Sequence, residues 1–233
     1  MKRGVRLSPR LMAAASFVPR GARLADVGTD HGLVPAFLAL EGRCDYIVAS
    51  DIREGPLSAA VRTAEKSGVA DRIDFRLADG LRGMETLSLD TLLIAGMGGE
   101  TIAAMLERAP WTAEERVTLL LQPQSKLPEV SDLLSRLRKP VTDAALARDA
   151  GRLYLVMKAS GSGDYTPTAA EKYAPRVLLD KRDALLPDYL TWLISRFSKA
   201  ERAIRGAGRE DAALTEALRG LAAMKEETDT WRK

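Results

Sequence analysis

Four aspartates carry most of the chemistry this chain can do. Asp26, Asp30, Asp51 and Asp79 each follow or close a short apolar run, and three of them have a glycine within two residues. The first cluster reads Leu24-Ala-Asp-Val-Gly-Thr-Asp-His-Gly32. A second turn, Leu92-Leu-Ile-Ala-Gly-Met-Gly-Gly-Glu100, is glycine-rich. Each reads as a strand, a turn that brings backbone close to a ligand, and a helix. Two such turns in one parallel sheet suit one small molecule lying across the strand ends. The first is not the G-x-G-x-x-G of a dinucleotide site. Its two carboxylates would repel a pyrophosphate and suit an ammonium group. That points to S-adenosylmethionine rather than NAD or FAD.

The remaining positions fit the same ligand. Asp51 lies 23 residues beyond Gly28, near the ~20 expected of an acid that hydrogen-bonds ribose hydroxyls. Asp79, followed by Gly80, suits the exocyclic amine of adenine, and Ile52 suits its face. Ala95, Gly96, Met97 and Gly98 would hold the tail, with Thr29 in the first turn. Taken singly, each acid is equally well a helix N-cap or a turn residue. The ordered set of four at strand ends is what carries the argument. The lone histidine, His31, and the lone cysteine, Cys44, exclude His-rich metal sites, internal disulfides and cysteine-based zinc sites. No metal is expected, and no Walker loop or Ser–His–Asp arrangement is present.

The elements that position these residues are legible in the hydrophobic pattern. The 233 residues, 46% apolar and 29% charged, suffice for one α/β domain and a smaller appendage. Ser8-Pro9 starts a short helix, with Ser at the N-cap. Strands are expected at 23–27, 46–50, 73–77, 91–95 and 117–122, the last ended by Pro123. Helices are expected at 31–40, 55–67, 100–108 and 127–138. Strands 141–148 and 152–159 join through Asp149-Ala-Gly151, a hairpin signal. The fold class is therefore α/β: a doubly wound, seven-stranded, mostly parallel sheet, Rossmann-like, with an antiparallel hairpin at one edge.

Gly161-Ser-Gly-Asp-Tyr165 reads as a linker, dividing a domain 1–160 from a helical domain 161–233. One helix is expected after Pro167 and a longer one near Pro187. Leu186, Leu190, Leu193, Phe197, Ala200 and Ile204 recur at heptad spacing. Gly206-Ala-Gly208 breaks the seam, and Leu214, Ala217, Leu221, Met224 and Thr228 resume it. The two seams predict an antiparallel helical hairpin, reaching ~30 Å for ~20 residues. It either projects or packs on the α/β body.

The net charge is only +3. Its distribution is more telling. Lys2, Arg3, Arg6 and Arg10 occur with no acid among residues 1–10. Arg196, Lys199, Arg202, Arg205 and Arg209 oppose Glu201 alone. These basic stretches are either solvated faces or phosphate contacts. The chain start lacks a secretory pattern, and no apolar run approaches the ~18 residues of a membrane span. A cytoplasmic protein with no membrane partner is expected, and a monomer.

Asp26-Val-Gly-Thr-Asp-His31, Asp51, Ala78-Asp-Gly80, Ile94-Ala-Gly-Met-Gly-Gly99 and Leu121-Gln-Pro123 resemble, in order, the signature of the bacterial tRNA (adenine-22-N1) methyltransferases. Tyr173-Ala-Pro175 followed by Leu178 is similar to the aromatic-Gly-Pro segment that leads into that family's C-terminal helices. The likeness covers nearly the whole chain. It implies a class I methyltransferase fold with a C-terminal coiled-coil hairpin, methylating N1 of adenosine 22 in tRNA. It places Asp26, Gly28, Asp51, Asp79, Gly80 and Ala95–Gly98 around the cofactor and Asp30 and His31 near the transferred methyl. Gln124 stands where the family has Asn after Gln-Pro, and Ala174 stands for Gly before Pro175. Gly98-Gly99 would leave room for the incoming base, or else let a helix enter tightly against the sheet. Lys2, Arg3, Arg6, Arg10, Arg53, Lys126, Arg202 and Arg205 are candidate tRNA phosphate contacts. The competing readings are a small-molecule methyltransferase with a helical lid and a non-catalytic RNA-binding module.

Overall fold

The computed structural model describes residues 4–232. Seven strands form one sheet: β1 Ala22–Val27, β2 Cys44–Asp51, β3 Asp74–Leu77, β4 Thr91–Gly98, β5 Thr118–Ser125, β6 Val141–Asp149 and β7 Arg152–Ala159. Their order is β3-β2-β1-β4-β5-β7-β6, with β7 antiparallel to both neighbours and the first five strands parallel. The order reverses between β1 and β4, so the strands on either side feed their crossovers to opposite faces and leave a crevice there.

Alternation along the strands divides the core. Leu24, Leu93, Leu120 and Val156 point to one face, where α1 Pro9–Ser16, α2 Leu33–Leu40 and α3 Glu54–Ser67 cover them. Ala25, Leu92, Ile94, Leu119, Leu121 and Met157 point to the other. There α4 Gly99–Glu107 and α5 Leu127–Arg136 pack through Ile102, Leu106, Val130, Leu133 and Leu134. β6 and β7 join through Ala150 and Gly151, both at positive φ (46° and 77°), the backbone of a type I′ turn.

Several boundaries differ from the expectations, each for a local reason. Asp30 (φ 51°) and Gly32 (φ 64°) are left-handed, so α2 starts at Leu33 rather than residue 31. β4 runs on to Gly98 and β5 through Pro123 to Ser125, because Ala95 pairs with Gln122, Met97 with Pro123 and Gly98 with Ser125. Gly96 is skipped in that register and takes φ 84°, so the glycine-rich stretch is a bulged strand end rather than a plain turn. Pro123 does not end the strand, since it lies past Leu121, where pairing with β7 stops. Ser8 adopts the N-cap backbone but its hydroxyl caps nothing. No helix forms directly after Pro167. Thr168 and Glu171 bond reciprocally and close a turn, and the short α6 Arg176–Asp180 follows Pro175 instead.

The two heptad seams become α7 Leu186–Gly206 and α8 Ala212–Asp229, packed antiparallel across the Gly206–Gly208 break. Leu186, Tyr189, Leu190, Leu193 and Phe197 share the core of the α4–α5 face. Tyr173 meets Phe197 edge-on, with ring centroids 4.7 Å apart, and its carbonyl accepts a bond from the Tyr189 hydroxyl. Further along, Ala200 is exposed and Ile204 only half-buried. The root of the hairpin is thus part of the body, and its tip is solvated. The 161–165 segment is tied down as well: Gly163 N–H donates to Arg138 O, and Asp164 pairs with Arg138 at 3.0 Å. Among the described residues no helix is long and apolar enough to cross a membrane.

Gly99 shows which half of the Gly98-Gly99 pair packing requires. A Cβ there would sit 2.1 Å from Lys126 O and 2.7 Å from Ser125 O, both backbone atoms. At Gly98 the nearest atom is Ser125 Oγ at 3.3 Å. Gly99→Ala is expected to lower the urea-unfolding free energy by about 2–3 kcal/mol, and Gly98→Ala by under about 1 kcal/mol. Equal midpoints for the two variants would reject this tight helix entry.

Candidate active site

A cleft of about 590 Å³ opens at the carboxyl ends of β1, β2 and β4. Its size suits a nucleoside-scale ligand. Asp26, next to last in β1, lies buried beneath the cleft. Its carboxylate accepts a 2.7 Å bond from the Thr29 hydroxyl. The Gly28 and Thr29 amides both donate to Ser50 O, which locks the first turn onto the end of β2. Gly28 is held at φ 73°, a conformation that L side chains rarely adopt.

Burial pushes the Asp26 carboxyl up from its ordinary 3.8 to about 6; the Thr29 bond opposes this and the neighbouring Asp51 charge adds to it. Asp51 ends β2, also buried, and accepts a 3.0 Å bond from the Arg53 amide. The Arg53 side chain, 74% exposed, lies 3.8 Å from Asp51, while no ion pair reaches Asp26 among the described residues; a buried carboxylate of this kind is matched to a cationic ligand group.

The other side of the cleft is mixed. Ile52 lines it with 61% of its surface exposed, the largest exposure of any big apolar side chain described. Asp79 faces the same space, with Arg108 3.9 Å from its carboxylate. Gly80 (φ 63°) lies so close to α4 that a Cβ would meet Met105 Cγ at 2.8 Å. Asp30 and His31 stand at the rim, each side chain 66% exposed, with Nε2 and Oδ2 3.7 Å apart.

Of the sequence-chosen cofactor residues, Asp26, Gly28, Thr29, Asp51, Ile52, Asp79, Gly80, Ala95, Gly96 and Met97 line this cleft, together with Asp30 and His31. Gly98 does not. Among the basic candidates, Arg10 and Arg53 line it. Arg6 is exposed outside it. Lys126 is engaged with Glu100 (3.3 Å) and Glu129 (3.6 Å). Arg202 and Arg205 are exposed near the hairpin tip, and Arg205 pairs with Glu201 at 3.3 Å. Lys2 and Arg3 lie outside the described residues. Thr101 and Met105 of α4 and Leu11 of α1 also line the cleft. No local motif marks them, because they arrive from helices that pack there. Gln124 lines it too, and a Cβ on Gly96 would lie 3.6 Å from its amide nitrogen. No group of three or more His, Cys, Asp or Glu side chains is placed to hold a metal among the described residues.

A methyltransferase-domain family model matches residues 7–157. The chain is 34% identical over 160 residues to the tRNA (adenine(22)-N(1))-methyltransferase of Bacillus subtilis, spanning 69% of this chain and 67% of that one. This chain belongs to that methyltransferase family. The fold agrees over nearly its full length. The crystal structure of the Bacillus subtilis m1A22 tRNA methyltransferase superposes with a TM-score of 0.78 at 28% identity, covering 97% of this chain and 98% of that one. A Streptococcus pneumoniae protein, described as a candidate tRNA (m1A22) methyltransferase and crystallised with S-adenosyl-L-methionine, gives 0.81 at 28% identity, over 94% and 100%. Both likenesses extend into the C-terminal helices, beyond the matched methyltransferase domain. The family therefore accounts for the hairpin as well as the sheet.

Proposed function

We propose that this protein transfers a methyl group from S-adenosylmethionine to N1 of adenosine 22 in tRNA. The observation that carries the reading is the division of the cleft's acids. Asp26 and Asp51 are buried at its floor, while Asp30 is exposed beside His31 at its rim. The floor suits a cationic nucleoside, and the rim suits a base that becomes cationic.

The residues present fit S-adenosylmethionine. Asp26 supplies a buried carboxylate for the ammonium. Asp51 would hold the ribose hydroxyls, Ile52 would offer an apolar face to the adenine, and Asp79 would accept from its amine. When bound, the cofactor supplies an electrophilic methyl on sulfur. Adenine N1 carries an in-plane lone pair and needs no covalent enzyme intermediate, so the protein's task is alignment. Methylated N1 leaves the base positively charged, and the Asp30 carboxylate stabilises that charge as it develops. The N1–CH3 bond forms as the S–CH3 bond breaks, so the charge passes from sulfur to the base and no proton need leave; His31 at the rim would hydrogen-bond the base. The base reaches them by leaving its stack.

Residues 161–233 act, on this reading, as a tRNA-engaging extension rooted in the core of the α4–α5 face. Arg202 and Arg205 on the solvated tip reach phosphates that the cleft does not. Reversing both to Glu is expected to weaken tRNA binding about tenfold or more at moderate salt, and to flatten its salt dependence, with cofactor affinity unchanged. Filter binding at two salt concentrations reads this, and unaltered tRNA affinity removes the tip from the interface. The whole reading is tested by labelled methyl transfer onto unmodified tRNA with mapping of the product. Label at N1 of adenosine 22 supports it. Absence of label there refutes it.

A further inference from the structure

Trp192 is the only aromatic among the exposed large apolar side chains of the described residues, with 46% of its surface open to solvent. It is nonetheless held in place. Its ring stacks on that of Tyr189, with centroids 5.8 Å apart and planes inclined by 23°. Tyr189 is itself buried, and its hydroxyl donates to Tyr173 O at 3.1 Å. One turn further along α7, the Arg196 guanidinium lies 5.6 Å from the Trp192 ring centroid. Lys199 continues the same stripe of the helix. From Trp192 to the end of α7 the exposed side chains include Arg196, Lys199 and Arg202, and no acid. Arg205 pairs with Glu201, whereas those three cations have no carboxylate partner among the described residues. The other arm of the hairpin has the opposite character: α8 exposes Glu216, Glu226, Glu227 and Asp229 against Arg219.

A lone exposed apolar side chain needs no function. A braced indole in a row of unpaired cations calls for a partner that is both flat and anionic. An unpaired nucleotide has that chemistry: its base lies on the ring and its phosphates meet the cations. A base stacked within a helix has no open face to offer. The acidic surface of α8 repels a polyanion, so only the α7 side of the hairpin can receive one. The location suits this as well. Phe197, a little over one turn beyond Trp192, meets Tyr173, and the adjacent Lys172 pairs with Asp132 of α5 at 2.6 Å. α5 begins where β5 ends, at the end of the sheet where the cleft opens. We propose that Trp192 stacks on an unpaired base of the tRNA, with Arg196 and Lys199 on the flanking phosphates. This deepens the proposed function and rests on tRNA being the substrate.

Binding of unmodified tRNA across a salt series tests the stack. Trp192→Ala is expected to weaken binding by about 5- to 100-fold, the range of one base–aromatic stack. The dependence of affinity on salt should keep its wild-type slope in that variant, because a stack releases no counterions. Lys199→Ala is expected to do the reverse and lower the slope by about 1. S-adenosylhomocysteine affinity, read by calorimetry, should not change in either. Trp192→Phe keeps a smaller π-face and should retain most of the affinity. Trp192→Leu keeps apolar bulk without the π-face and should bind as weakly as the alanine variant. The Phe and Leu variants decide the matter should the alanine variant unfold. Wild-type affinity in the alanine or the leucine variant overturns the inference. So does a wild-type dimer, seen in sedimentation, that Trp192→Ala dissociates, since the face then belongs to a second copy of the chain. Wild-type protein that binds S-adenosylhomocysteine but no tRNA refutes the proposed function itself, and the inference with it.

Discussion

Asp30→Asn is expected to lower single-turnover methyl transfer by about 10²- to 10³-fold while leaving S-adenosylhomocysteine affinity within about twofold. Asparagine is the informative replacement because Asp30 sits at φ 51°. Asn tolerates the left-handed region as Asp does, so the turn survives and only the charge is lost. In the free protein the carboxylate is largely exposed, and water screens it. A base docked over the rim excludes that water, and the same charge then acts at short range in a lower dielectric. The effect therefore belongs to the step in which N1 becomes cationic and leaves the cofactor equilibrium alone. Turnover within about threefold of wild type would remove Asp30 from the chemistry. A parallel loss of S-adenosylhomocysteine binding would place it at the cofactor instead.

Asp26→Asn is expected to stabilise the fold and to damage ligand binding at the same time. Asp26 holds its proton to about pH 6 in the folded chain against an ordinary value of 3.8. Between those values the folded state binds a proton that the unfolded chain has released. Stability thus falls as pH rises through that window, by about 3 kcal/mol in total. At pH 7 the ionised Asp26 carries that full cost. Asparagine can still accept the Thr29 bond and avoids the buried charge, so its melting midpoint at pH 7 should rise by about 5–10 °C. At pH 4 the two proteins should melt together. A wild-type-minus-variant difference that does not change with pH would reject the burial argument. Binding moves the other way. S-adenosylhomocysteine should bind wild type more tightly as pH rises through about 6, and the Asn variant should bind about 10- to 100-fold more weakly at pH 7, with no such pH dependence.

Much of this architecture is visible in the residues themselves. Strand positions such as Leu24, Leu93 and Leu120 are apolar whichever face they take, so the five parallel strands read as continuous runs. The acids Asp26, Asp51 and Asp79 are recognisable because each lies at or just past a strand end, and strand ends in a doubly wound sheet converge on one crevice. Gly28 and Gly80 mark left-handed turns. The heptad spacing from Leu186 to Thr228 is a local property, and a helical hairpin follows from it.

Other features depend on contacts between distant segments, which no local pattern encodes. Arg10 and Gln122 are 112 residues apart, and only the packing of α1 against the sheet turns a basic N-terminal residue into a wall of the cleft. Gly99 is required by the backbone of Lys126, which belongs to the next crossover. Pro123 sits within a strand because pairing with β7 has already ended at Leu121. The hairpin packs at its root and is solvated at its tip because Phe197 reaches the common core and Ala200 does not. The sequence by itself determined the order of the elements, the acids at the strand ends and the class of ligand they attract, since periodicity and turn chemistry act over a few residues. The tertiary structure alone decided which acids are buried and which exposed, and which cation faces the cleft, because burial and long-range charge pairing exist only once distant segments are packed together.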